Sequence, residues 1–170
     1  MSYTSSRALP TIPLIFLGFV EPAMLIYGYV TGLLSPYWYY SIQSPQSPLP
    51  ISVGPTAASF PPQAEGTTIQ LVNLFVVLGL TGAFCAFSRD PRTVKGFLVA
   101  YGLGDFGHVW ALYKGLGGQG GKFWDVGVWN DAVWGGVAAS VVFGLVRWSS
   151  LLGVFGPIGG KGEEGRKKRE

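Results

Sequence analysis

Apolar residues in this chain come in long unbroken runs, not in the alternation of strands or the one-sided stripe of surface helices. Four runs are long enough for the roughly 20 residues a helix needs to cross a bilayer: 12–34, 68–87, 94–113 and 126–148. Each is apolar all round, which predicts a helix buried on every side by protein or lipid. A fifth run, 151–158, is broken by Gly and Pro and too short to span, so it extends the last helix or lies at the interface. The predicted fold class is all-α, an integral membrane four-helix bundle.

The connections differ in kind. Residues 35–66 are rich in Pro, Ser and Gln and carry Tyr37-Trp38-Tyr39-Tyr40, a cluster suited to the headgroup level, with the Pro-rich remainder as a capping loop. Residues 88–93, SRDPRT, form a tight turn in which Pro91 suits a helix start. Residues 115–122, GLGGQGGK, form a flexible link; the G-x-x-x-x-G-K-[ST] pattern of a phosphate loop is missing.

Lys and Arg set the orientation. The N-terminal segment has one, the second connection three and the end from Arg147 onward six, against none and two on the alternate side. This places both termini in the cytoplasm. The chain reads as one membrane domain, 1–160, followed by a disordered basic tail, 161–170. Arg7 precedes the first run, but that run exceeds 20 residues and lacks a cleavage site, so it reads as a retained span rather than a signal peptide.

Composition agrees. Charged residues make up 12% of the chain, against ~25% in soluble domains. The 26 Gly suit close helix approach in lipid, and the six Trp and eight Tyr suit two interfacial belts. The net charge of +3 does not indicate nucleic acid, because the basic residues gather after the last apolar run, where they fit anionic lipid. Cys85, the only cysteine, excludes an internal disulfide and reads as a small packed residue.

Against this apolar background four ionisable groups stand out: Glu21, Asp105, His108 and Asp131. A charge near the bilayer centre costs roughly 2.5–3.5 kcal/mol on insertion scales, so such groups face protein or a wet cavity. With Gln70, Asn73 and Asn130 they fall between the midplane and the non-cytoplasmic boundary, one polar layer. Asp105 and His108 are three residues apart on one helix face, a spacing that lets a carboxylate orient an imidazole. Gly102, Gly104 and Gly107 leave that helix bare for a neighbour or a ligand. Pro22 frees a backbone carbonyl one turn earlier, to which Glu21 can bond. Asp125 heads the fourth run as an N-cap; Trp129 and Trp134 wall a pocket or belong to the interface belt.

One reading is an acid–base site: Asp105, His108, Glu21 and Asp131 move protons, while Gln70, Asn73, Asn130, Trp129 and Trp134 hold the ligand. Such help supplies ~10²–10⁴-fold, enough for an epoxide or alkene. The other reading is non-catalytic: a polar knot that fixes helix register in a protein binding a lipophile or a protein partner. Neither needs a cofactor, and a single His without a second His or a useful Cys gives no metal set.

Several motifs carry a resemblance: P-L-I-F-L-G-F-V-E-P at 13–22, Q-L-V-N at 70–73, G-D-F-G-H at 104–108, F-W-D-V-x-x-W-N at 123–130 with Trp134-Gly135, and R-W-S-S-L-L-G-V at 147–154. The chain resembles a family of short fungal four-span membrane proteins, most without assigned activity. Some such proteins are encoded beside secondary-metabolite enzymes, which implies a step in the endoplasmic reticulum membrane on a lipophilic terpenoid or polyketide. The arrangement is similar, more loosely, to emopamil-binding-type sterol isomerases and small transmembrane terpene cyclases. No motif matches theirs residue by residue, so no catalytic role is carried over.

Overall fold

The computed structural model describes residues 7–43, 49 and 53–159, and among them it is helical throughout, with no strand. The helices are α1 (Thr11–Ile15), α2 (Glu21–Leu34), α3 (Pro36–Ile42), α4 (Pro62–Ala86), α5 (Pro91–Gly115) and α6 (Asp131–Leu151). Between α1 and α2 the helix widens into a π turn, Phe16–Val20, so that Thr11–Leu34 runs as one rod. The cause lies in the sequence. Pro22 has no N–H, and just before it the Glu21 N–H bonds back five residues to the Phe16 carbonyl. The wider turn absorbs the lost hydrogen bond.

Three helices, Thr11–Leu34, Pro62–Ala86 and Asp131–Leu151, are long and apolar enough to cross a membrane. Their outer faces carry large apolar side chains with nothing against them, among them Leu34, 78% exposed, and Phe84, 77% exposed. α5 has the length, 25 residues, but is less apolar. The last long helix starts later than the sequence pattern implies. Val126–Val128 is a 3₁₀ turn, and α6 begins at Asp131. Asp125 therefore caps that turn, accepting from the Gly127 N–H, and the cap of α6 is Asn130, whose side-chain oxygen accepts from the Val133 N–H at 3.0 Å. The tight turn before α5 forms as expected: Pro91 is the first helical residue, and the Asp90 carboxylate accepts from the Arg92 and Thr93 N–H groups.

The helices pair as α2 with α4 and α5 with α6. Small residues set both contacts. Gly32 lies under Val72 and Tyr39, and Gly28 under Phe75. Gly102 lies under the Trp148 indole, while Gly136 and Gly144 receive Leu112 and Asp105 from α5. The two pairs meet at one end, where Leu14, Leu17, Ala86, Val94, Phe97, Leu98 and Phe143 form the main core, with Cys85 packed against it. At that end the Ala8 N–H bonds the Ser88 carbonyl and the Gly159 N–H bonds the Ala8 carbonyl, so both ends of the described chain meet the α4–α5 turn. Residues 151–158 fold back there, with Ile158 against the core. At the other end α3 pins the long connection: Tyr39 packs on Phe75, and Tyr37 and Tyr40 on Phe60. The Pro- and Ser-rich stretch 44–48 and 50–52, and the basic tail, lie outside the described residues.

A methyl added at Gly32 would stand 2.5 Å from the stiff Val72 side chain, whereas at Gly104 it meets nothing within 4 Å. Gly32→Ala is expected to destabilise the bundle by about 1–3 kcal/mol, and Gly104→Ala to leave it unchanged or slightly firmer. Thermal unfolding of the two variants in the same neutral detergent checks this.

Candidate functional site

The largest side chain with no exposure at all is that of a cation, Arg147. It lies on α6 one turn after Gly144, the residue whose missing side chain lets Asp105 of α5 approach to 3.3 Å from where a Cβ would stand. Arg147 Nη1 donates to Asp105 Oδ2 at 2.5 Å, and Nη2 donates to Glu21 Oε1. One guanidinium thus joins the first residue of α2, the middle of α5 and the last turns of α6. Three aromatic rings close around it, with centroids 5.4 Å (Tyr101) and 6.0 Å (Phe97 and Phe143) from its central carbon. Tyr101 also donates to the Leu78 carbonyl at 2.9 Å, which ties α5 to α4 beside the cation.

This corrects the sequence reading at its centre. Asp105 is engaged by Arg147 and not by His108. Glu21 bonds the same cation rather than a carbonyl freed by Pro22. Arg147 itself belongs to the interior, so the basic residues after the last helix number one fewer than the sequence count assigned. The signal was present: Arg147 has apolar residues on both sides, V-V-F-G-L-V before it and the run to Ile158 after it. The run 126–148 contains Arg147, yet the count of basic residues assigns it to the cytoplasmic end.

The remaining expected site residues do not join the triad. Asp131 is the exposed first residue of α6, where a carboxylate favours the positive end of the helix dipole. Asn130 is occupied as the cap, and its Nδ2 donates to the Ile42 carbonyl at 2.9 Å, fastening α3 to the head of α6. Gln70 and Asn73 are exposed on α4, off the stripe of Thr68, Val72, Gly79 and Ala86 that the helix buries. Trp129 and Trp134 pack edge to face at 4.9 Å, and Trp129 lies against Phe123, to whose carbonyl its indole N–H donates. Tyr113 and Trp124 join the same cluster, which gathers aromatic rings at the end of the bundle far from Arg147. Among the described residues no group of His, Cys, Asp or Glu is placed to hold a metal.

His108 occupies a distinct position. It follows Tyr101 by seven residues and Phe97 by eleven, so it shares the flank of α5 that closes on Arg147. Gly136 precedes Phe143 by seven and Arg147 by eleven on α6, and the His108 Nε2 stands 3.2 Å from where its Cβ would be. Yet His108 is exposed. The flank that closes on Arg147 at Phe97 and Tyr101 therefore opens within one turn of half-buried Asp105.

Chemically the triad is a clamp. Burying an ion costs several kcal/mol unless geometry and hydrogen bonds compensate. One oxygen of each carboxylate is spent on the cation, while Arg147 Nε and Glu21 Oε2 are left buried without a partner among the described residues.

These features define a class: an all-helical protein built like a membrane bundle, apolar outside and charged at its centre. The chain belongs to the family described as Domain of unknown function (DUF7704), whose model matches residues 6–157. No curated protein and no solved structure matches it.

Removing one partner of a buried ion pair leaves the other uncompensated, at about 3–5 kcal/mol. Arg147→Met is expected to abolish the monodisperse folded species, and Arg147→Lys to retain a weakened one, since an ammonium lacks the fork that reaches both carboxylates. Size-exclusion profiles and melting temperatures in detergent give the answer.

Proposed function

We propose that this chain is a four-span integral membrane protein whose buried Glu21–Arg147–Asp105 triad is structural, and that its function is to bind a lipophilic molecule or a protein partner within the membrane without transforming it. The observation that carries this is the complete enclosure of Arg147 with both carboxylates on it. Three aromatic rings close around the cation, and the Glu21 and Asp105 side chains keep only 11% and 16% of their surface exposed, which leaves a reactant little approach. α5 supports the four-span reading by its length and by its long packing seam with α6 through Gly102, Gly136 and Gly144. The meeting of Ala8 and Gly159 at one end of the bundle supports an even number of crossings between them. The cytoplasmic side of that end is proposed from Arg89, Arg92 and Lys95, which lie there. The exposure of His108, beside Gly136 and Leu112 on the seam of α5 and α6, supports a lipophile as the occupant. The endoplasmic reticulum as the host membrane rests on the resemblance alone.

A second reading, an acid–base isomerase or cyclase acting on a terpenoid or polyketide, keeps one specific support: His108 is an accessible proton carrier on the inner flank. It no longer draws on Asp131, Gln70 or Asn73, which are exposed elsewhere.

The test separates scaffold from chemistry. Buried ion pairs are often replaceable by apolar residues of similar volume, with neutral or favourable effect on stability. The triple variant Glu21→Leu/Asp105→Leu/Arg147→Met is expected to fold and to restore the metabolite profile of a deletion strain as the natural chain does. A folded triple variant that fails to restore it, together with loss of one product in the deletion strain and failure of rescue by His108→Ala, overturns the structural reading in favour of catalysis.

A further inference from the structure

One charged surface is left over by the triad, at the head of α5. Arg89, Arg92 and Lys95 are exposed there, and none of the three uses its side chain in an ion pair or hydrogen bond among the described residues. The nearby carboxylate is committed to the backbone. Asp90 accepts from the Arg92 N–H at 3.1 Å, the Thr93 N–H at 3.0 Å and the Thr93 hydroxyl at 2.7 Å. Those hydrogen bonds, the Thr93 hydroxyl first, hold the Asp90 carboxyl below the usual range. Three cations against one capping carboxylate leave positive charge unmatched.

Below these cations the same face of α5 turns apolar. Arg92, Lys95, Val99, Leu103 and Phe106 follow at spacings of three and four, one continuous stripe. Val99, Leu103 and Phe106 are 40%, 59% and 63% exposed, and Gly96, between cations and apolar residues, has nothing within 4 Å of its absent side chain. From Lys95 to Phe106 the helix rises about 16 Å, close to the depth of one leaflet of a ~30 Å hydrocarbon core.

We infer that this face binds an acidic phospholipid: the phosphate and its anionic headgroup against Arg89, Arg92 and Lys95, and an acyl chain along Val99, Leu103 and Phe106, entering over the notch at Gly96. The inference rests on α5 being a membrane span, as proposed above. The charge selects the headgroup, and the stripe below it matches the length of a chain rather than that of a free phosphate. A phospholipid held here buttresses α5, the least apolar of the long helices, on a side that only Trp148 of α6 reaches, at Phe106.

The full chain is reconstituted with equal amounts of phosphatidylserine and phosphatidylcholine, re-extracted in mild neutral detergent, and the retained lipid identified by native mass spectrometry. Phosphatidylserine is expected in several-fold excess. Arg92→Gln and Lys95→Gln are each expected to cut that excess about fivefold, while Lys114→Gln, at the opposite end, leaves it unchanged. In the natural chain, high salt is expected to erase the preference, which covers the case in which a variant fails to fold. Equal retention of the two lipids, or an equal loss with Lys114→Gln, overturns the inference. A Leu103→Cys probe on a Cys85→Ser background tells this failure from that of the four-span reading. Protection from water-soluble maleimide in sealed vesicles with no lipid preference sinks the lipid site alone; ready labelling of residue 103 sinks both.

Discussion

A guanidinium that cannot reach water must be surrounded by its own counter-ions, and that requirement organises this molecule. Arg147 receives Glu21 from one helix pair and Asp105 from the other, at the place where the pairs converge. Apolar packing within each pair, through Gly32 and Gly28 on one side and Gly102 and Gly144 on the other, sets two ribbons. It does not by itself fix how the ribbons face each other, since contacts between apolar surfaces tolerate sliding. A fork with two fixed prongs does not. The ion pairs, with Phe97, Tyr101 and Phe143 around them, join the two ribbons where they converge.

The distribution of polarity follows. The flanks of the long helices expose mainly Leu, Phe and Val, with a few polar side chains such as Gln70 and Asn73 among them. Charge is spent in two places: in the centre, where it is paired, and at the helix ends, where it is exposed. The wide turn at Phe16–Val20 belongs to this design, because it precedes Glu21 directly and rotates the chain where Pro22 prevents regular bonding. π turns recur at functional or constrained positions for this reason. Here the constraint is the direction in which one carboxylate must point.

Much of the fold was legible in the sequence because it depends on run length, and run length is local. The rods follow from the apolar runs at 12–34, 68–87 and 126–148, although α4 starts earlier than its run, at Pro62 in the polar stretch PQAEGT, and the start of α5 follows from Asp90 and Pro91. The head of α6 was misplaced because Val126 and Val128 are apolar, and apolarity does not distinguish a 3₁₀ turn from a helix. The site was half legible. Glu21 and Asp105 stood out as charges in apolar runs, and both prove central. Their partner was missed because Arg147 and Asp105 are 42 residues apart, and no local spacing reports a contact of that separation. His108, three residues from Asp105, offered a local partner, and sequence reasoning favours neighbours. Asn130 shows the same limit in reverse: its polarity was visible, but its bond to Ile42, 88 residues away, was not.

The order of the three charged residues along the chain has a further consequence. A ribosome delivers Glu21 first and Asp105 next, and both are made before the cation that neutralises them. Until α6 emerges, neither acidic group has the guanidinium that holds it in the folded chain. The convergence of the two helix pairs on one cation therefore waits for the last long helix to be made.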